Sequence, residues 1–179
     1  MQRVMIMGQP GSGKSTLARH LGQATGLPVF HMDQIHWEPG WIERRQAESV
    51  ALAQGVEARD QWIFEGGLSQ TYASRAARAD VIIWLDFPLG LRFWRVVRRT
   101  LTGLGRNRPD LPRDCPERPS TGTLVFWWYI WTSRHSGRRR IAHAVAEAPP
   151  GTPVFQVQSL AEVRQCLDRV SSANDTQSA

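Results

Sequence analysis

Short apolar runs alternate with longer stretches of helical periodicity along most of the chain. Five runs have the length and composition of buried strands, at residues 4–7, 28–31, 62–64, 81–85 and 154–157. The spacing of apolar residues between them predicts helices over residues 15–25, 43–58, 70–77, 89–104, 123–148 and 160–170. We expect Ser136-Gly137 to break or kink the helix over 123–148. This alternation predicts an α/β fold in which helices cover both faces of a five-stranded parallel sheet.

Two segments depart from this pattern. Residues 103–122 lack periodicity and are rich in Pro, Arg and Gly, which is typical of a functional lid. Residues 171–179 are small and polar, so we expect a disordered tail there. A chain of 179 residues is long enough to bury one full core. We therefore predict a single domain over residues 1–170 with its lid at about 103–122.

The composition limits the partners and the compartment. A net charge of +6 and a sequence pI near 10.5 indicate anionic partners, without distinguishing ATP from nucleic acid. Residues 92–140 hold 12 of the 21 arginines, so we expect a mobile, cationic region there. The chain begins without a basic and apolar leader, has no apolar stretch of membrane-spanning length, and places its two cysteines without metal-ligand spacing. We expect a cytoplasmic protein that contacts no membrane.

The first strand leads into a complete phosphate-binding loop, Gly8-Gln-Pro-Gly-Ser-Gly-Lys-Ser15. Its lysine, Lys14, is the single lysine among 22 Lys and Arg residues, at the position where a slim ammonium reaches the β- and γ-phosphates of a nucleotide. Glycines let successive N–H groups and the positive helix end face the phosphates. We predict that ATP binds to Gly8, Pro10, Gly11, Ser12, Gly13, Lys14, Ser15 and Thr16, with Mg²⁺ on the Ser15 hydroxyl.

Three further strand ends carry candidate chemistry, because ligands bind at the carboxyl ends of parallel strands. Asp33 could hold Mg²⁺ through water, orient an acceptor hydroxyl or accept its proton, or could cap a helix. Gly66 and Gly67 could admit an acceptor closely, or form an ordinary turn. Asp86 ends an apolar run that resembles a Walker B strand and could bind the metal through its water.

The same region argues against two classes of nucleotide-binding protein. Phe87 follows Asp86 where hydrolytic ATPases usually have a Glu that activates water. The guanine motif Asn-Lys-x-Asp of GTPases needs a second lysine, which this chain lacks.

Arginine and tryptophan supply the remaining candidates. Arg95 and Arg99 are one helical turn apart, which suits charge developing on a transferred phosphoryl group, or a solvated basic face. Arg106, with Arg108, could close over the nucleotide from the lid, or be solvated. Arg75 is a candidate acceptor clamp. Two tryptophans, Trp37 and Trp41, could wall an acceptor pocket or stack on a base, whereas Trp127, Trp128 and Trp131 have the spacing of core or lid packing.

The motifs resemble those of known proteins. Gly8 to Thr16, Asp86-Phe-Pro88 and Arg95-x-x-x-Arg99 resemble the corresponding motifs of adenylate kinases and related small-molecule kinases. A closer resemblance, over about residues 3–165, is to the bacterial DNA topology modulation proteins (FlaR-like). It rests on His31-Met-Asp-Gln-Ile-His-Trp-Glu-Pro-Gly-Trp41, Trp62-Ile-Phe-Glu-Gly-Gly67, Arg75 with Ala79-Asp80, and Arg108-Pro-Asp with Cys115-Pro-Glu-Arg118. The chain departs from that family at Glu65-Gly-Gly-Leu68, where Asp-Gly-Asn-Tyr is typical.

The resemblance implies a P-loop NTPase fold of the nucleoside-monophosphate-kinase type, with three layers, strand order 2-3-1-4-5 and a lid. It implies an Mg²⁺-ATP-dependent kinase that phosphorylates a small acceptor, either nucleotide-like or another hydroxyl or phosphate compound. Lys14, Asp33, Arg95 and Arg99 would be its catalytic residues. Two alternatives stay open: an ATP-dependent regulator of DNA topology that acts through an Arg-rich surface, and a nucleotide-binding module without catalysis. No DNA-reading motif accompanies the basic region.

Overall fold

The computed structural model describes residues 1–117 and 120–175, with side chains described as far as Val170. Its elements in chain order are β1 (Arg3–Gly8), α1 (Lys14–Thr25), β2 (Val29–His31), α2 (Met32–His36), β3 (Trp37–Glu38), β4 (Ile42–Glu43), α3 (Gln46–Glu57), β5 (Trp62–Glu65), a 3₁₀ turn (Ser69–Thr71), α4 (Tyr72–Arg78), β6 (Val81–Leu85), α5 (Leu89–Thr102), α6 (Thr121–Thr132), α7 (Arg134–Ala146), β7 (Val154–Val157) and α8 (Leu160–Asp175).

Five parallel strands form the central sheet in the order β2-β5-β1-β6-β7. Numbered among themselves, these strands lie in the order 2-3-1-4-5, so the predicted topology is confirmed. Every residue of β6 is buried, and β1 is buried from Val4 onward, because helices cover both faces. The register places Glu65 of β5 beside Ile6, and Leu85 of β6 beside Gly8. The ends of both neighbouring strands therefore flank the phosphate-binding loop.

Alternate residues of β1 enter two separate cores. Val4 and Ile6 pack with Leu17 and Leu21 of α1 and with the inner face of α8. Met5 and Met7 pack on the opposite side, in a cluster to which α3, α4 and α7 contribute. The two clusters give the predicted arrangement of three layers, helices on each side of one sheet.

Three features differ from the sequence prediction. A two-stranded antiparallel hairpin, β3–β4, follows α2 and was not predicted. The long helical span divides at Ser133, not at Ser136-Gly137. The break is stabilised because the Gln9 side-chain amide donates to the carbonyls of Ser133 and Arg134, at 3.3 and 3.0 Å. Helix α8 continues to Asp175, past the residue where the tail was expected to begin, and residues 176–179 lie outside the described part of the chain.

The predicted lid is described over residues 103–117 and 120–122, while Arg118 and Pro119 lie outside the description. Its first part is irregular, with one isolated parallel bridge between Leu104 and Glu117. The lid is tied to α2 and to the β3–β4 hairpin by four contacts. Gln34 of α2 donates to Pro109 O, and in the hairpin Trp41 donates to Pro116 O, the Gly40 N–H donates to Asp114 O, and Glu38 O receives a weak contact from the Cys115 thiol. The expected cationic segment thus lies against the region that follows Asp33.

Candidate active site

The phosphate-binding loop connects β1 to α1. Gly11 has a φ of 79°, and a Cβ there would collide with the backbone carbonyl of Arg92, so glycine is required. Helix α1 begins at Lys14, and the Leu17 N–H donates to Gly13 O at 3.0 Å. The loop therefore presents its backbone N–H groups at the positive end of a helix, which favours an anion.

Side chains in the loop fit a nucleotide triphosphate. The Ser12 hydroxyl is buried and has no hydrogen-bond partner among the described residues. The Lys14 ammonium has one, Gln9 O, at a long 3.4 Å. An unsatisfied hydroxyl and a weakly engaged ammonium beside a helix N-terminus are donors available to phosphate oxygens. Ser15 and Thr16 lie in the first turn of the same helix, half-buried and exposed respectively.

Helix α5 brings arginines to the same loop. The Arg95 guanidinium lies 4.7 Å from the centre of the Phe87 ring and donates to Ser12 O at 3.2 Å. Arg92 is buried and donates to Phe87 O and Pro10 O, at 2.9 and 3.3 Å. The buried Arg92 therefore stabilises the phosphate-binding loop through its backbone, while the half-buried Arg95 lies beside the loop, where it could reach a bound phosphate.

Asp33, the second residue of α2, lies in the electrostatic field of Lys14. Burial raises the pKa of its carboxyl group, and Glu65 raises it further, whereas Lys14 and Arg108 act in the opposite direction. Glu65 ends β5 and is buried against His31, whose Nδ1 lies 2.7 Å from its carboxylate. A half-buried carboxyl group with a raised pKa, close to the lysine of a phosphate-binding loop, is suited to accept a proton.

A second cluster of charges, from α5 and the lid, lies within electrostatic range of Asp33. Arg99 and Arg108 share the carboxylate of Glu117, at 3.5 and 3.3 Å, and Arg108 also pairs with Asp110 at 3.2 Å. Arg99 lies within electrostatic range of Asp33. Burial and the neighbouring Arg108 lower the pKa of Arg99. The two arginines, one from α5 and one from the lid, therefore converge on the carboxylate side of the cleft.

Asp86, for which the sequence predicted a role in binding the metal through its water, is engaged by protein side chains. Its carboxylate accepts two parallel bonds from Arg138 of α7, at 2.9 and 2.7 Å, and further bonds from Gln156 and Gln158. Burial tends to raise the pKa of Asp86, but these hydrogen bonds outweigh burial and the pKa is lowered. With Gln9, Arg92 and Arg134 nearby, this pair lines a cleft of about 380 Å³. Asp86 thus ties α7 to the sheet.

Arg75 is not at the surface of the acceptor side, where we expected a clamp. It is fully buried, its guanidinium packs against the rings of Phe64 and Tyr72, and it donates to Gly66 O at 3.1 Å. Burial lowers its pKa to about 10. Arg75 therefore supports the turn after β5 from below. Gly66 is buried in that turn, and Gly67 is exposed.

The remaining predicted residues lie near the lid. Trp37 and Trp41 make an edge-to-face contact with ring centres 5.4 Å apart. Trp41 donates from its indole nitrogen to Pro116 O at 3.0 Å, so this pair packs under the lid. Arg106 is exposed, and within the described residues its side chain makes no hydrogen bond or ion pair with the phosphate-binding loop.

Four residues of the site were not among the sequence candidates. Their common signal is position at the end of the second or third sheet strand, or within the non-periodic segment. They are His31, Glu65, Asp110 and Glu117.

The arginines of the basic region divide into two groups. Arg92 and Arg95 contact the loop, and Arg99 and Arg108 contact the carboxylate cluster; all four are buried or half-buried. Six others among the described residues are exposed: Arg98, Arg106, Arg113, Arg138, Arg139 and Arg140. The first group fits the kinase prediction, while the exposed group keeps open the alternative of an Arg-rich surface that binds the nucleic-acid backbone.

Comparisons with known proteins agree with a kinase. No family model matches the chain. The chain is 24% identical over 178 residues to a shikimate kinase of Acinetobacter baylyi, covering 91% of this chain and 92% of that protein. It is 25% identical over 126 residues to a shikimate kinase of Corynebacterium glutamicum, covering 63% and 71%. These relatives confirm the predicted class, an ATP-dependent kinase, and leave the acceptor open.

Solved structures show the same fold. Shikimate kinase from Acinetobacter baumannii in complex with shikimate superimposes with a TM-score of 0.58 at 14% identity, covering 99% of this chain and 94% of that one. Deoxyadenosine kinase from M. mycoides with bound dATP superimposes with a TM-score of 0.61 at 12% identity, covering 97% of this chain and 99% of that one. The predicted fold class is confirmed. Together with the curated shikimate kinase relatives, the shared fold supports a P-loop kinase-like superfamily, and the narrower resemblance to DNA topology modulation proteins stays a prediction.

Among the described residues, no helix combines the length and apolar character that crossing a bilayer requires.

Proposed function

We propose that this chain transfers the γ-phosphoryl group of ATP to a hydroxyl group of a small acceptor bound between Asp33 and the Arg99–Arg108 pair. One observation carries the proposal: α5 joins the two sides, because Arg95 donates to Ser12 O of the phosphate-binding loop and Arg99, one turn later, pairs with Glu117 beside Arg108 of the lid. The donor and acceptor sides therefore share one cleft. Phosphoryl transfer needs little beyond positioning and charge stabilisation, and this cleft supplies both.

The phosphate side is assigned to the loop and α5. The N–H groups of residues 8–16, the Ser12 hydroxyl and Lys14 would bind the β- and γ-phosphates. Mg²⁺, held by the Ser15 hydroxyl and phosphate oxygens, would neutralise charge on the phosphates. Arg95, already at the loop rim, would stabilise the transferred group. Asp86, engaged with Arg138, would fix α7 and not the metal.

The acceptor side is assigned to Asp33 and the lid. The acceptor oxygen would bond to the γ-phosphorus as the bond to the β,γ-bridging oxygen breaks, and the acceptor proton would pass to Asp33. The raised pKa of Asp33 makes its carboxylate a better proton acceptor than an ordinary aspartate. Arg99 and Arg108 suit an anionic group on the acceptor. Residues 103–117 would exclude water, which suppresses hydrolysis of ATP.

The test is ADP production from Mg²⁺-ATP with one candidate acceptor at a time. The names of the relatives place shikimate and deoxyadenosine first in the panel. Nucleoside monophosphates, sugar acids and duplex DNA follow. We expect one small acceptor to stimulate turnover strongly, and Lys14→Ala to abolish it. Stimulation by DNA alone would favour the regulator. If the protein binds ATP but no compound in the panel stimulates ADP production, the result would favour the nucleotide-binding module without catalysis.

Helix α5 offers a matched set of variants. We expect Arg95→Met and Arg99→Met each to lower kcat/KM by about 10²-fold or more, since each removes a charge from the cleft. Arg98→Met changes the same residue type at an exposed position of the same helix and should leave kcat/KM within about twofold. Equal losses in all three variants would contradict the assignment.

A further inference from the structure

Helix α6 is apolar around its whole circumference yet stands mostly in solvent. None of its 12 residues is charged. Ile130 is buried, and half-buried Trp127 packs against Phe93 of α5, with ring centres 6.0 Å apart. The other large side chains are exposed: Leu124, Val125, Phe126, Trp128, Tyr129 and Trp131. We call these six residues the α6 face. The spacing that suggested core or lid packing for Trp128 and Trp131 does not bury them.

The α6 face is larger than a monomer normally exposes. The exposed fractions of its side chains run from 36% for Phe126 to 68% for Trp128, which leaves an apolar area on the order of 700 Å². The largest apolar patch on a typical monomer is about 300–600 Å². A helix that is apolar on all sides is normally buried on all sides. Helices α5 and α7 cover only one side of this one.

We propose that the α6 face of one molecule binds the α6 face of a second copy of this chain. A standard protein–protein interface buries about 800 Å² on each partner, close to the area available here. Cores of such interfaces are rich in Trp, Tyr and Phe and poor in charge, as this face is. In a two-fold dimer one patch serves both partners, so no second complementary surface is needed.

The charges favour a protein partner over a lipid surface. A helix that lies in a membrane interface has one strongly charged face, and α6 has none. Arg134 lies just past the end of the helix, with its guanidinium 4.7 Å from the centre of the Trp131 ring. Arginine at the edge of an aromatic patch is the usual arrangement at the rim of a protein interface.

The test is the oligomeric state of the full chain, measured by sedimentation velocity from about 1 to 100 μM, a range that covers the micromolar dissociation constants of the weaker interfaces of this size. We expect a reversible dimer. Trp128→Glu should weaken dimerisation by more than about 30-fold, since buried interface tryptophans contribute most of the affinity. Leu124→Glu should weaken it by more than about tenfold. Circular dichroism checks that each variant is folded.

Leu160 provides the matched control. It is a leucine of the same exposure, 61% against 63% for Leu124, at the start of α8 and outside the α6 face. Leu160→Glu should leave the dimer unchanged. The proposal is overturned if the wild type stays monomeric at the highest concentration, or if Leu124→Glu and Leu160→Glu behave alike. A monomer that binds vesicles of anionic lipid through Trp128 would also overturn it, and would assign the face to a membrane surface.

Discussion

Gly66 fixes the distance between the turn after β5 and the start of α2, and replacing it by alanine tests that geometry. Its φ of 113° lies where residues with a Cβ are strained. A Cβ at this position would lie 2.5 Å from the Cβ of Met32, the residue before Asp33. The strain costs about 1–3 kcal/mol, and the overlap in a packed site about another 1–3 kcal/mol. We therefore expect Gly66→Ala to lower the free energy of unfolding by about 2–6 kcal/mol.

Gly67→Ala is the control on the neighbouring residue. Gly67 is exposed, its φ is not positive, and an added Cβ would meet only the hydroxyl of Tyr72, at 3.2 Å. We expect a loss below about 1 kcal/mol. Urea unfolding measures both variants. The melting temperature of Gly66→Ala should fall by at least about 4 °C.

Activity gives an independent readout of the same contact. If Met32 moves to accept the new methyl group, Asp33 moves with it, and ADP production should fall by more than the fraction of unfolded protein explains. Equal stability and equal activity of the two alanine variants would refute the argument that Gly66 sets the position of Asp33.

Two further predictions follow from buried titratable groups. Because burial raises the pKa of Asp33 in the folded protein, folding favours its protonated form. This residue therefore makes the protein less stable as the pH rises above 3.8, the ordinary pKa of an aspartate. Asp33→Asn should therefore be more stable than the wild type at pH 7, and urea unfolding at a series of pH values should show the difference disappearing below pH 3.8. Turnover should fall by about 10²–10⁴-fold. A variant less stable than the wild type at pH 7 would contradict the raised pKa of Asp33. Burial raises the pKa of the Cys166 thiol to about 11. At pH 8 a disulfide reagent should therefore modify this thiol far more slowly in the folded protein than in urea. Equal rates would show that the thiol is accessible.

The sheet could be predicted from the sequence almost to the residue. The observed bounds of β6, Val81–Leu85, are the predicted ones, because a strand buried on both faces must be continuously apolar between polar ends. The hairpin β3–β4 could not be predicted in this way, since strands of two residues show no periodicity. At the helix break, Ser133 O accepts a hydrogen bond from Gln9, 124 residues earlier, and no local sequence pattern indicates such a contact.

The site was predictable where position along a strand determines it. Asp33 was a candidate because ligands bind at the carboxyl ends of parallel strands. The structure places it within electrostatic range of Lys14, which agrees with that reasoning. Arg75 shows the limit of the approach. An arginine on a short helix has the same local pattern whether it reaches into a cleft or packs between Phe64 and Tyr72, and only the tertiary structure distinguishes the two.

The contacts of the lid with α2 and the β3–β4 hairpin share one chemical property. In each, the hydrogen points to a main-chain carbonyl oxygen: from Gln34 to Pro109, from Trp41 to Pro116, from the Gly40 N–H to Asp114 and from Cys115 to Glu38. Any residue provides such a carbonyl. Mutation can therefore replace lid side chains such as Arg108 and Asp110, beside the proposed substrate site, while these carbonyl oxygens remain in place. A lid altered in this way would change which substrate fits the site and still close by the same main-chain contacts.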